Sequence, residues 1–245
     1  GMRLSCSKYI ARHDAGNISL PERIEKQFDF LEKNSSYYLV GSSVSIIDES
    51  GARICDEIVI DDFNTIKKIM PVHNCIFHST IMFRNDGRYS YREKFKYSQD
   101  YDFYLRLLSD CNAITNIKDI LLKERLFENS ITFNKFLSQK LYSDIAKLFF
   151  KQRIKQGCDS YNDYDFKKII EHNENNQKEE KFFNLFYRQK SYYLFFALKT
   201  KELRKYIKRH LPRSQFDFKL FWYYILSFFP FIIKIIRNIK HIKIR

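Results

Sequence analysis

The chain has 245 residues, and 43 Lys and Arg against 29 Asp and Glu give it a formal net charge of +14. Its 44% hydrophobic fraction excludes wholesale disorder, while 6 Gly and 4 Pro exclude fibrous and low-complexity classes. The charge is not spread evenly: residues 1–125 hold 18 of each sign, 126–180 hold 9 of each, and 181–245 hold 16 basic against 2 acidic. A basic groove running over the whole fold is thereby excluded, and a basic appendage is expected. Cys6, Cys55, Cys75, Cys111 and Cys158 are scattered, odd in number and without a C-x-x-C pair, which fits buried hydrophobes in a reducing cytosol. No basic segment followed by an apolar run opens the chain, so no signal peptide is expected, and Gly1 reads as a tag-cleavage remnant.

In chain order, Ser19-Leu20-Pro21-Glu22 reads as a capping box with Pro in the first turn, opening a helix to about Leu31. The runs Tyr38–Val40 and Val44–Ile47 read as strands, followed by the turn signal Asp48-Glu49-Ser50-Gly51 and a return strand Ile54–Ile60. A short helix near Asp62–Met70 is stopped by Pro71, and Cys75–Phe83 alternates as a further strand. Ser98–Leu108 has helical spacing, with Tyr101, Leu105 and Leu108 on one face and Arg106 off it, and Ile114–Ile117 and Ile120–Leu126 read as short strands. This is an α/β pattern.

From Asn134 the period is helical, with Phe136, Leu137, Leu141, Ile145, Leu148 and Phe149 in one stripe and Gly157 as its C-cap. Asn173–Glu180 is polar and reads as a linker; Phe182–His210 reads as an aromatic-rich helix ended by Pro212. Leu220–Ile233 is 14 residues without a charge, interrupted by Pro230, and a spanning helix needs about 20. Phe231–Arg245 spaces Lys234, Arg237, Lys240 and Lys243 three apart among isoleucines, an amphipathic helix suited to an anionic membrane face, with Trp222, Tyr223 and Tyr224 suited to headgroups. The alternative is a terminal helix packed on the protein with a solvated basic face. Nucleic acid is not expected as a partner, since no helix-turn-helix, RNA-binding aromatic motif or zinc module is present.

Residue chemistry alone leaves several sites open. Asp14, in the polar loop 11–19, has the position of a cap or turn former, or of a carboxylate holding a divalent cation on two phosphates. Asp100 and Asp102 open a helix without sharing a face, as dipole partners or with a general base among them. His78 sits among apolar residues as a satisfied core histidine or a site residue.

The segment Tyr9-Ile10-Ala11-Arg12-His13-Asp14-Ala15-Gly16-Asn17-Ile18-Ser19-Leu20-Pro21-Glu22-Arg23, continued by Glu25 and Gln27, resembles the central motif of bacterial family-two glycosyltransferases with the GT-A fold, A-R-x-D-A-D-D-I-S then x-P-x-R-x-E-x-Q. Leu39-Val40-Gly41-Ser42 extends the likeness. Asn74–Arg84 resembles that family's H-P-T-V-M-x-R strand, Gly87-Arg88-Tyr89 stands where a G-G-Y turn is common, and Gln99–Leu107 resembles its E-D-Y-D-L-W-L-R-L helix. The resemblance implies sugar transfer from a nucleotide-sugar donor to a glycan or lipid-linked acceptor hydroxyl, with inversion at the anomeric carbon. It implies Asp100 as general base, His78, Arg84 and Asp102 on the acceptor side, and a divalent metal, Mn or Mg, held by Asp14 and Asn17. That metal site is weakened, because Gly16 stands where the family has an acid.

The family also has about 90 residues ahead of this loop that bind the donor nucleotide, whereas about ten precede Asp14 here, so the likeness covers the acceptor half. The expected architecture is a partial GT-A-like mixed sheet with flanking helices over 1–130, a helical region over 131–215 and a basic amphipathic membrane-facing tail over 216–245. The expected location is cytoplasmic, peripheral on the inner face of the cell membrane, in bacterial surface polysaccharide synthesis. The edge exposed beside the missing half would allow a homo-dimer. The rival expectation is a non-catalytic remnant or membrane-associated partner protein without donor binding.

Overall fold

The computed structural model describes residues 1–126, 136–166, 191–192, 194–210 and 218–242. The linker expected at 173–180 and residues 182–190 of the helix expected over 182–210 lie outside them, and the described part of that helix is interrupted at 197–199, where Leu198 takes a positive φ of 59°. A mixed six-stranded sheet flanked by helices leads into further helices toward the C-terminus, an α/β arrangement consistent with a partial GT-A-like fold.

The strands are β1 (Tyr9–Ala11), β2 (Ile18–Ser19), β3 (Tyr37–Ile47), β4 (Arg53–Glu57), β5 (Met82–Arg84) and β6 (Ala113–Arg125), in the order β1-β5-β3-β6-β2 with β4 beside β3. β5 runs antiparallel to both β1 and β3, pairing Ile10 with Phe83 and Phe83 with Leu39, and β2 runs antiparallel to β6, pairing Ile18 with Lys123. The two short strands expected at 38–47 are one. Residues 38–47 of β3 are all buried, so Gly41-Ser42-Ser43 continues the ladder rather than breaking it. Gly41 is required by a close approach, since a Cβ there would overlap Asn116 Oδ1 and press Thr80 Oγ1. β6 likewise joins two expected strands.

Helix α1 (Arg23–Lys33) begins later than the capping box predicts. Ser19 lies in β2 and its Oγ accepts from Arg23 Nη1 (3.0 Å), so Glu22 takes the N-cap position without a side-chain bond. Helix α2 (Phe63–Ile69) is capped by Asp62, whose carboxylate accepts from the Thr65 N–H (2.7 Å). The strand expected over 75–83 shrinks to β5, because side chains take the preceding backbone groups: Asn74 Oδ1 accepts from Ile76 N and Thr80 Oγ1 donates to the Phe77 carbonyl. His78 therefore stands on a 3-10 turn, His78–Thr80, and not in a strand. Helix α3 (Gln99–Ser109) is buried nearly all round, Arg106 included, where its spacing predicts a single apolar face.

Two compact units make up the chain. The first comprises Gly1–Val44, Glu57–Glu124 and Leu137–Asn176. Its core brings Phe83, Phe95, Tyr101, Phe103, Leu105 and Ile114 together with Tyr142, Ile145 and Phe149 of helix α4 (Phe136–Gln156), so α4 completes the core around α3. Leu148, expected in that stripe, is exposed. Gly157 ends α4 in the left-handed region at φ 77°, with its N–H on the Arg153 carbonyl (2.9 Å), as a C-cap glycine does.

The second unit comprises Ser45–Asp56, Arg125–Phe136 and Gln177–Arg245. Its hairpin turn is built as the sequence predicts, with Gly51 at φ 90° and Asp48 Oδ1 accepting from the N–H groups of Ser50 and Ala52. Helices α5 (Thr200–His210), α6 (Phe218–Leu226) and α7 (Pro230–Ile242) complete its described part.

Candidate functional site

Of three residues singled out from sequence, Asp14 pairs with Arg12 in the first unit, and His78 and Asp100 lie within reach of the Arg12 charge. Arg12 follows β1 directly, and its N–H bonds to the Ile81 carbonyl (2.9 Å), which fixes the loop over the start of β5. From there Arg12 Nη2 pairs with Asp14 Oδ1 at 2.7 Å, both side chains being partly exposed. Two fully buried residues of α1 hold the loop from below. Arg23 donates from Nη2 to the Arg12 carbonyl and from Nε to Gln27 Oε1 (3.0 Å), while Gln27 Nε2 donates to the carbonyls of Val40 and Thr80 (3.1 and 2.7 Å). These are the Arg and Gln of the x-P-x-R-x-E-x-Q likeness, four apart and so on one helix face.

Asp100 sits in the first turn of α3, where its carboxylate lies by the backbone N–H groups that open the helix and accepts from Asn74 Nδ2 at 3.2 Å. Burial raises its pKa above the usual carboxylate range, against those hydrogen bonds and the nearby Arg12 charge. The group keeps part of its surface open. A carboxylate with raised proton affinity and an open flank can take a proton from a bound hydroxyl.

His78 Nε2 is 2.7 Å from the Tyr91 hydroxyl, and burial together with the Arg12 charge pushes the imidazole down to about 3, so it is neutral at neutral pH. The Tyr104 ring lies 6.4 Å from that of His78. Its hydroxyl is fully buried, has no hydrogen-bond partner among the described residues, and feels the charges of Asp100, Arg12 and Asp14.

Arg84 and Asp102, expected on the acceptor side with His78, make their bonds elsewhere. Arg84 donates to the carbonyls of Tyr37 (2.8 Å) and Leu31 (2.6 Å) and to the Tyr9 hydroxyl (3.0 Å), tying β5 to α1 and β3. Asp102 is 2.9 Å from Arg106 Nε, four residues on, and 3.5 Å from Arg92, which also pairs with Asp159 at 2.7 Å. That buried network joins α3 to the segment after α4.

The Asp14 loop can be tested as a metal site on its donors. Asp14 is neutralised by Arg12, position 16 has no side chain and a left-handed φ of 88°, and Asn17 offers a neutral amide. Among the described residues no three His, Cys, Asp or Glu side chains converge. A Mg or Mn ion on a diphosphate takes only one or two protein carboxylates, the rest of its shell being water and phosphate oxygen, and this loop offers one carboxylate, Asp14, already paired with Arg12, beside the Asn17 amide.

Asn74, Tyr91, Tyr104 and Glu124 join the site without being singled out by the sequence. Glu124 follows Lys123, the partner of Ile18, and so comes beside the end of the 14–17 loop. Ser79 Oγ donates to it at 3.4 Å, and burial with Asp14 nearby raises its carboxyl to about 7. A lone Glu at a strand end carries no local signal; only the β2–β6 pairing brings it there.

No family model matches the chain. Similarity to curated proteins is clear nonetheless. The chain is 34% identical over 149 residues to the O-antigen biosynthesis glycosyltransferase WbnJ of Escherichia coli, covering 59% of this chain and 58% of that protein. It is 35% identical over 146 residues to an uncharacterized glycosyltransferase of Methanocaldococcus jannaschii, covering 58% and 50% respectively. The amylovoran biosynthesis glycosyltransferase AmsE of Erwinia amylovora is 30% identical over 130 residues, 51% of this chain and 47% of that one. The chain thus spans about half the length of the curated relatives it matches, and these likenesses support a glycosyltransferase family.

Proposed function

We propose that the Arg12–Asp14–His78–Asp100 group is the acceptor side of an inverting glycosyltransferase of the family-two, GT-A kind. It would act in bacterial surface polysaccharide synthesis, at the cytoplasmic face of the membrane. The reading is supported by similarity to glycosyltransferases named for O-antigen and amylovoran synthesis. The observation that carries it is Asp100 at a helix N-terminus, held by Asn74 and within reach of the Arg12 charge.

In this reading an acceptor hydroxyl gives its proton to Asp100 as its oxygen attacks the anomeric carbon of a nucleotide sugar, and the carbon–oxygen bond to the nucleoside diphosphate breaks on the opposite face. His78, neutral and held by Tyr91, orients acceptor hydroxyls without adding charge. Arg12 holds Asp14 in place and offsets the burial of Asp100. A divalent metal, were it bound, would be held by Asp14 and Asn17 on the donor diphosphate and would stabilise the leaving group, with Arg12 competing for Asp14.

The test measures nucleoside diphosphate release from a panel of nucleotide sugars, with glycan acceptors. Asp100→Asn is expected to lower turnover by at least about a hundredfold, the scale of a general base, with an unchanged circular dichroism spectrum. Undiminished turnover in that variant sinks the assignment. Gly16, in place of an acid, favours a second reading, a partner protein without donor binding. Calorimetry giving no heat with any nucleotide sugar, together with no diphosphate release, would establish that reading instead.

A further inference from the structure

The described helices of the second unit carry a feature that glycosyl transfer does not use. α6 reads Phe-Lys-Leu-Phe-Trp-Tyr-Tyr-Ile-Leu, with a single charged side chain in nine residues. Leu220 is buried on one face, followed at helical spacing by Tyr224 and the buried Ser227. Phe218, Phe221 and Trp222 occupy the opposite face and are 63%, 39% and 44% exposed. A helix that is apolar all round belongs in a protein core or in lipid, and here Phe218, Phe221 and Trp222 keep much of their surface exposed.

The turn that follows continues the outer face. Phe228, Phe229 and Phe231 are each about half exposed or more, as is Ile235 one turn into α7, while Ile233 is buried. The turn is rigidly built. Arg204 of α5 donates to the Ser227 carbonyl at 2.7 Å and stacks its guanidinium 4.6 Å from the Phe228 ring centre, and Ser227 Oγ donates to the Tyr224 carbonyl at 2.6 Å. Phe195 packs on Tyr223 with centroids 4.8 Å apart. The chain thus holds α6 and α7 at a bend of 118° and presents the aromatic turn outward. No single described helix is long and apolar enough to cross a membrane.

We infer that α6, the 227–231 turn and the start of α7 form an aromatic wedge that enters the headgroup–acyl boundary of an anionic bilayer, with both helices in the plane of the interface. Charge argues for lipid over a second copy of the chain. Residues 218–245 contain six Lys and Arg and no Asp or Glu, so two such surfaces would repel, whereas an anionic leaflet attracts each cation. Exposed Lys219 and Lys234 flank the apolar face, as basic side chains do at an interface, and the aromatic side chains are those that favour headgroup depth.

Trp222 is the only tryptophan in the chain, so its fluorescence reports this face alone. The full chain is titrated with phosphatidylcholine vesicles, with and without phosphatidylglycerol. Emission is expected to shift to the blue and to be quenched by brominated acyl chains only with the anionic lipid. Phe231→Asp and Lys234→Glu should each weaken that binding by about tenfold or more while leaving thermal unfolding unchanged. Unchanged emission and no sedimentation with anionic vesicles would overturn the inference, as would full binding by both variants. Blue emission before lipid is added, with a dimer by light scattering, would overturn it in favour of a second copy.

Discussion

At the residue scale the site is a set of groups whose proton affinities the fold has moved. Glu124 and His78 move in opposite senses, and their effects on stability can be separated. The Glu124 carboxyl rises from 4.5 to about 7, so between those values the folded chain holds a proton that the unfolded chain has released. Its contribution therefore falls as pH rises through that window. His78 falls from 6.5 to about 3, so the unfolded imidazole binds a proton the folded one refuses, and its contribution is lost as pH drops below about 6.5. Comparison with Glu124→Gln cancels the histidine. Between pH 5 and 8, urea unfolding should show the parent chain losing roughly 2 to 3 kcal/mol relative to that variant, since each tenfold change in proton affinity is worth about 1.4 kcal/mol. Parallel curves for the two proteins would mean Glu124 is solvated. The sequence made Asp14, His78 and Asp100 visible because motif likeness points to them. It could not set Arg84 and Asp102 apart, since an Arg spent on carbonyls and an Arg facing a ligand read alike along the chain.

At the element scale, the long-period features were legible and the short ones were not. The spacing of apolar residues marks α3 and α4, the Ser19–Glu22 signal with Pro21 announces α1, and the Asp48–Gly51 turn fixes the hairpin. The misreadings fall where side chains bond the backbone. Ser19 serves Arg23 instead of capping α1, and Thr80 and Asn74 bend a would-be strand into a 3-10 turn. The Arg23–Gln27 pair shows why the likeness keeps an Arg and a Gln inside a helix. Their polar ends reach the loop, β3 and the His78 turn at once. Arg23→Met leaves Gln27 Oε1 and the Arg12 carbonyl without their donor, at a cost of about 1 to 3 kcal/mol. Chemical denaturation should show that loss, together with weaker protection of the Arg12 amide in hydrogen exchange; protection unchanged from the parent would separate α1 from the loop. Gly41→Ala should cost a similar amount, about 1 to 3 kcal/mol, by pushing Asn116 away from the Ile60 carbonyl it donates to at 2.7 Å.

At the scale of the whole molecule, charge and apolar exposure coincide in one stretch of sequence. The first 180 residues are balanced, so the +14 belongs to 181–245, where the aromatic wedge also lies. Two forces of different range would then hold the chain to a bilayer, and salt separates them. Attraction between exposed charges is screened over about 10 Å at 0.1 M salt, whereas apolar insertion is not weakened by salt. Raising the salt from about 0.05 to 0.5 M should therefore cut the affinity for phosphatidylglycerol vesicles by about tenfold or more, by screening the roughly 1 kcal/mol that each basic residue contributes near the surface. The emission of the fraction still bound should remain blue, because Trp222 stays in the interface once there. A soluble polyanion such as duplex DNA offers the first force without the second. It should bind only at low salt and leave Trp222 emission unmoved, since phosphates have no apolar layer for the 228–231 turn to enter. A blue shift with DNA equal to that with vesicles would place the aromatic face against stacked bases and return the charge of the C-terminal quarter to nucleic acid.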